Sequence, residues 1–251
     1  EYTIASTGQL VNVRTRDFDD DVLAAAGVTR DLFCPLVQPG EVIGPLADWI
    51  CRELDLEPVP VVAVCTHDTA SAVAAVPLEP GRRCAYLSCG TWSLLGVETT
   101  TPCTTAEARE QSFTNEAGAF GTLVFLKNIN GLWLMQSLRR NWSDRKEKVS
   151  YDDIEQAARA ARAAGADFAI NPNDPRFMNP PSMMDAIADC CHDLGQGRPG
   201  SLGELALAVY NGLAREYARS VAGLEAVRGE PVEQLHMVGG GIKDRFLSEL
   251  T

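Results

Sequence analysis

The sequence predicts an α/β protein in which short buried strands alternate with helices. Three observations carry this. Residues 61–65 (Val-Val-Ala-Val-Cys) form a continuous apolar run, β-branched at three of five positions, as suits a strand buried on both faces. Two further apolar runs, 84–87 and 93–97, flank Ser88-Cys89-Gly90-Thr91 and read as two strands joined by a glycine-containing turn. Later segments keep helical spacing, and one opens on Ser201 and Glu204, a capping-box pattern, and runs to about Arg228.

Taken in order, residues 9–13 suit a short strand. Asp17 to Ala26 suits an amphipathic helix stopped by Gly27, and residues 46–54 a second helix with Trp49 turned inward. Residues 36–45 read as loop. Thr69 to Val76 is Ala-rich and starts a helix at the exit of the first apolar run. Pro80-Gly81 is the best linker candidate. Residues 99–109 are polar and read as exposed, residues 122–126 as a strand, and residues 129–140 as a helix with Ile129, Leu132, Trp133 and Leu138 on one side. Asp152 to Ala164 is a helix ended by Gly165, and residues 168–171 a short strand. Residues 172–181 form a loop made rigid by four prolines. Ser182 opens the helix 182–194, with Asp185 three residues on as in a capping box. In the long helix from Ser201, Leu205, Val209, Leu213, Tyr217 and Leu224 form a stripe assigned to core packing. The last unit is a strand at 234–238, three glycines at 239–241 and a helix from Ile242.

Composition excludes several classes. The 251 residues suffice for one large or two small domains. Hydrophobic content of 45% and charged content of 22% are ordinary for a globular protein in water. The formal net charge is −12, and no Lys/Arg cluster is interleaved with aromatics, which argues against a nucleic-acid or anionic-membrane surface. No apolar run has spanning length. Eight cysteines without a C-x-x-C pair read as reduced thiols of a cytoplasmic protein rather than a disulfide frame or a zinc site. The chain begins at Glu1 without Met and stops at Thr251 inside a helical pattern, as a piece of a longer protein would. Oligomeric state is left open.

Two places carry candidate chemistry. Asp68 stands at the exit of the first apolar run, at the start of a helix. It reads as an N-cap, and a helix N-terminus also keeps a carboxylate ionised and able to accept a proton. The Ser88–Thr91 turn offers backbone N–H groups and hydroxyls, a cradle for an anion. A base near an anion cradle suits phosphoryl transfer. His67 reads as a supporting or packing residue, since no partner lies at ligand spacing. Asn128 reads as a helix N-cap, and Gln136 as lining a cleft or facing water. The strand–glycine–helix unit at 234–242 lets a nucleotide approach the backbone closely, although it fits neither G-x-G-x-x-G nor the P-loop pattern. No cluster of carboxylates stands ready to cage a metal ion.

The ordered set of motifs resembles the FGGY carbohydrate kinase family. The matching residues are His67-Asp68-Thr69-Ala70-Ser71, Tyr86 to Ser93, Thr114-Asn115-Glu116, Leu126 to Ile129 with Gly131-Leu132-Trp133, Ile170 to Asp174, and His236 to Gly241. The resemblance implies two actin-like, ribonuclease-H-like domains closing over a cleft. Residues 1–80 would be the end of the sugar-binding domain, and residues 81–251 most of the ATP-binding domain. It further implies Asp68 as catalytic base, with His67, Thr69 and Asn128 on the sugar. Thr91 would reach the ATP phosphates, and Gln136 and Gly240 would line the nucleotide site. The implied reaction moves the γ-phosphoryl of Mg²⁺-ATP to the 1-hydroxyl of a ketose: L-rhamnulose first, with fuculose or xylulose as alternatives. A non-catalytic actin-like sugar or nucleotide sensor is the reading from another class. Cys89 departs from the Ser that many members carry there, yet it is small and keeps the turn.

Overall fold

The structure is a computed structural model that describes residues 1–79 and 81–251. It divides into two compact units, Glu1–Leu78 with Gly96–Leu126, and Glu79–Leu95 with Lys127–Thr251. Of the expected linker Pro80-Gly81, Pro80 lies outside the described residues.

The first unit starts with α1 (Tyr2–Thr7), then the antiparallel pair β1 (Val11–Asn12) and β2 (Asp17–Phe18). Helix α2 (Asp20–Ala26) follows. The Asp19 carboxylate accepts from the N–H groups of Asp21 and Val22, and Gly27 ends the helix at φ +71°. The expected helix from Asp17 therefore begins three residues late, because Asp17 and Phe18 pair with β1 and Asp19 is the cap. Strands β3 (Val42–Pro45) and β4 (Pro60–Val62) form a two-stranded antiparallel sheet, with α3 (Asp48–Leu54) between them in sequence. Helix α4 (Asp68–Ala74) comes next.

Five strands, β5 (Cys84–Cys89), β6 (Trp92–Thr99), β7 (Phe113–Ala117), β8 (Leu123–Asn130) and β9 (Gln234–Val238), form one mixed sheet in the order β7-β8-β6-β5-β9. Helix α5 (Ala106–Glu110) lies between β6 and β7 in sequence. Strand β9 runs parallel to β5, pairing Cys84 with Gln234 through Ser88 with Val238. The second unit holds α6 (Trp133–Arg145), α7 (Tyr151–Ala163), α8 (Met183–Asp193), α9 (Leu202–Arg228) and α10 (Arg245–Leu250). The expected stripe on α9 is core, with Leu205, Val209, Leu213, Tyr217 and Leu224 all buried. All eight cysteines are free thiols. Among the described residues no helix is long and apolar enough to cross a membrane.

Five expectations are corrected. The run 61–65 is not a strand buried on both faces: only Pro60–Val62 is strand, and Val62 and Val64 are 46% and 64% exposed. It pairs only with β3, and an apolar run specifies strand-type side chains without specifying what covers them. Strand β3 also occupies part of the expected loop at 36–45. Trp49 faces outward, 62% exposed, rather than inward. The expected helix 129–140 starts only at Trp133, because β8 continues to Asn130; Ile129, Leu132 and Trp133 fit a helical face and a strand end equally well. Residues 168–171 form no strand. Their backbone groups are satisfied from helix α9 and from the turn after α8 instead. The Gln196 amide accepts from Ala169 N–H and donates to its carbonyl, both at 2.8 Å, Asn211 Nδ2 donates to the Phe168 carbonyl, and Ile170 N–H donates to the Ala208 carbonyl.

Helix α9 opens on the expected capping box. Ser201 Oγ accepts from Glu204 N–H, and the Glu204 carboxylate accepts from Ser201 N–H at 3.0 Å. Ser201→Ala should lower stability by about 1 kcal/mol, read as a shifted midpoint in chemical denaturation, and Ser201→Thr should restore most of it.

Candidate functional site

The turn at 66–68 is pinned by the first residues of α1. Glu1, the N-cap of α1, accepts from Thr3 N–H (2.9 Å) and Thr3 Oγ1 (2.6 Å). The same carboxylate accepts from Thr66 N–H (3.0 Å) and Thr66 Oγ1 (2.8 Å). Thr3 Oγ1 in turn accepts from His67 N–H. Burial pushes the Glu1 carboxyl up, but the hydrogen bonds from Thr3 and Thr66 outweigh it and hold the group below its ordinary value.

His67, not Asp68, is the N-cap of α4, so the expected cap is displaced by one residue. Asp68 is the first helical residue. Its carboxylate accepts from Thr69 N–H at 2.7 Å, and its side chain is otherwise 98% exposed. A carboxylate in the first turn of a helix sits at the positive end of the dipole, and Asp68 stands open to solvent there. Thr69 is buried, with Oγ1 3.4 Å from the Asp68 carboxylate. The His67 imidazole lies between two carboxylates. Its Nδ1 is 3.5 Å from Glu116 Oε2, and its Nε2 is 3.8 Å from Asp68 Oδ1. Glu116, on β7, is buried. It belongs to the Thr114-Asn115-Glu116 motif, but no local pattern assigns it a task, because its partner His67 is far off along the chain.

In the second unit, the β5–β6 turn is held by its own backbone. Gly90 N–H donates to the Trp92 carbonyl at 2.9 Å, so this N–H is not open to a ligand. The carbonyls of Gly90 and Thr91 accept from Leu132 N–H (2.9 Å) and Trp133 N–H (3.0 Å). These are donors that the start of α6 cannot satisfy internally. The approach requires glycine at 131, where a Cβ would lie 2.6 Å from the Trp92 carbonyl carbon. Asn128 is not a helix cap: it is an exposed residue within β8. Beside it, Lys127 pairs with buried Glu216 at 3.2 Å. Glu216 also accepts from Asn173 Nδ2, and Asn173 Oδ1 accepts from Asn130 N–H. The Asn171–Asp174 motif thus braces the end of β8 against α9.

Thr91, Gln136 and Gly240 line one cavity of about 460 Å³, within the range of small-ligand sites. Leu132, Met135 and Tyr151 give it an apolar side. Lys243, Asp152, Glu155 and Asp244 supply charge. These charged residues carry no motif of their own, although Lys243 stands two positions after the glycine run in a strand–glycine–helix unit. The cavity suits a nucleotide: an apolar wall for a flat base, a cation and a hydroxyl for phosphates, and a glycine at 240 with no atom within 4 Å of where a Cβ would stand. Asn128 is not among its lining residues. Among the described residues no group of three His, Cys, Asp or Glu could hold a metal ion.

Comparison with known proteins gives a consistent picture. The family model described as the FGGY family of carbohydrate kinases, C-terminal domain, matches residues 85–251, and the corresponding N-terminal domain model matches residues 1–75. Rhamnulokinase of Bacteroides thetaiotaomicron is 42% identical over 251 residues, covering 100% of this chain and 50% of that protein. Rhamnulokinase of Yersinia pestis (strain Pestoides F) is 43% identical over 251 residues, covering 100% and 49%. The chain thus spans about half the length of these relatives. Among solved structures, gluconate kinase from Lactobacillus acidophilus superposes with a TM-score of 0.69 at 17% identity, covering 99% of this chain and 49% of that one. Xylulose kinase from Rhodospirillum rubrum gives 0.67 at 15% identity, covering 100% and 49%. At such identities the likeness shows the fold, the actin-like, ribonuclease-H-like α/β fold of sugar kinases, as the motifs led one to expect.

The Glu1 anchor generates a pH prediction. A carboxylate held below its ordinary value of 4.5 stabilises the fold above that pH, and the contribution is lost as pH falls through the lower folded value. Glu1→Gln should therefore be less stable than the parent at pH 7. The difference should shrink below about pH 4.5, as read by thermal denaturation across pH.

Proposed function

This chain belongs to the FGGY family of carbohydrate kinases, and we propose that its protein transfers the γ-phosphoryl of ATP to the 1-hydroxyl of L-rhamnulose, giving L-rhamnulose 1-phosphate and ADP. The substrate reading is supported by 42–43% identity, along the whole chain, to proteins named rhamnulokinase. The chemical reading is carried by one observation: Asp68 presents an exposed carboxylate at a helix N-terminus, on a turn pinned at Thr66 and His67 by the start of α1.

In this reading residues 1–80 serve the sugar and residues 81–251 the nucleotide. The interval between the two family matches, 75 to 85, supports a boundary there. Asp68 accepts the proton of the attacking hydroxyl as its oxygen bonds to the γ-phosphorus, while the bond from phosphorus to the β–γ bridging oxygen breaks. His67 and Thr69 bind the ketose, joined by Asn128 from the nucleotide part. Thr91 holds phosphate oxygens, Gln136 and Gly240 line the nucleotide site, and Lys243 adds a positive charge beside them. Mg²⁺ bound with the nucleotide would supply charge neutralisation on the phosphates; with no carboxylate cluster among the described residues to cage it, it would rely mainly on the nucleotide and water, as hard cations of this size keep several waters. The protein works in the cytoplasm on small molecules.

The test is an ADP-release assay on the full-length protein with Mg²⁺-ATP and a panel of L-rhamnulose, L-fuculose and D-xylulose. Preference for L-rhamnulose is the expected result. Preference for another ketose would keep the Asp68 chemistry and overturn the specificity. No release with any ketose from folded protein would move the reading to a non-catalytic sensor. Asp68→Asn should reduce turnover by about 10³-fold or more with ATP binding retained, and retained turnover would remove Asp68 as the base.

A further inference from the structure

We infer that Tyr217 is a positioning residue for the phosphate side of the nucleotide site, acting through Ser93 and Cys89 on the turn that carries Thr91; this rests on the nucleotide reading of the cavity above. Tyr217 belongs to the α9 stripe and is buried in the core, where a phenylalanine would fill the same space without a hydroxyl to desolvate. The hydroxyl has partners. It lies 2.7 Å from Ser93 Oγ and 3.8 Å from Cys89 Sγ. Cys89 and Ser93 are both fully buried, and they flank the 90–92 turn, one at the end of β5 and one at the start of β6.

The same cysteine is pressed by the glycine run after β9. A Cβ at Gly239 would lie 2.8 Å from the Cys89 carbonyl oxygen, and one at Gly241 would lie 2.4 Å from Cys89 Sγ. The start of the turn is thus clamped between the phenol of α9 and a glycine segment whose residues 240 and 241 line the cavity. Burial pushes the Tyr217 hydroxyl and the Cys89 thiol up from their ordinary values, so the bridge is one of neutral hydrogen bonds, not an ion pair. Without the phenol oxygen, Ser93 loses its 2.7 Å partner, and the turn and the glycine wall can shift together. A residue that only filled the core would affect nucleotide and sugar alike. The clamp affects the nucleotide.

The experiment uses the full-length protein as wild type, Tyr217→Phe, Ser93→Ala and the double variant. ADP binding is measured by calorimetry, and KM for ATP and for the ketose by ADP release. Each single variant should weaken ADP binding and raise KM for ATP about five-fold, the worth of one net hydrogen bond. KM for the ketose should stay within about two-fold, and the double variant should be no worse than the weaker-binding single, since both remove one interaction. Unchanged ADP affinity in folded single variants overturns the proposal, as does a ketose KM that rises in step with that for ATP. If Tyr217→Phe does not fold, Ser93→Ala removes the same bond and decides by the same criteria. Wild-type protein that binds no ADP overturns the nucleotide reading itself, and this inference with it.

Discussion

The second unit depends on how closely main chain meets main chain around residues 88–91. The turn, the start of α6 and the segment after β9 approach one another at distances that leave no room for side chains at 131, 239 and 241. The contact also settles hydrogen bonding. Carbonyls of the turn take up the first free donors of α6, which would otherwise need water or a capping side chain. Helix α6 therefore needs no side-chain cap, and Gln136 is carried to the cavity wall by the turn it is docked on. Close packing of this kind has few alternatives of similar energy, so a site built on it is preformed.

The first unit reaches the same end by other means. The turn at 66–68 is fixed by side chains. One carboxylate gathers five donors, and a threonine hydroxyl passes the constraint to the backbone of His67. Asp68 can then stay exposed while its backbone is held. The turn is thus ordered by side chains while the Asp68 carboxylate stays open to solvent.

How much of this was legible in the sequence depends on the range of the interaction. The hairpin at 84–97, the α9 capping box, the Gly27 stop and the buried stripe through Tyr217 are local patterns, and they stood in the structure as read. What failed was decided at a distance. The 61–65 run has the composition of a covered strand, but nothing in five residues says what lies over it. Asn128 looked like a helix cap because β8 and α6 both tolerate the apolar spacing around it. Residues 168–171 looked like strand, and no local signal shows that Gln196 and Asn211 satisfy them instead. At the site, motif order brought Thr91, Gln136 and Gly240 to one cavity, whereas Glu116, Glu216 and the hydroxyl of Tyr217 gained meaning only from partners far along the chain.

The glycine contacts differ in one respect with a genetic consequence. At 241 a side chain would strike the Cys89 thiol, and serine at 89 would ease that. It would also lie 2.9 Å from the Cys89 carbonyl oxygen, as would one at 239 at 2.8 Å, and at 131 the obstacles are all backbone atoms. A clash with a side chain can be relieved by changing the neighbour, but a clash with main chain is the same whatever residue the neighbour becomes. Loss of glycine at 131, 239 or 241 thus has no second-site suppressor at the residue it touches, and only reversion restores the fit.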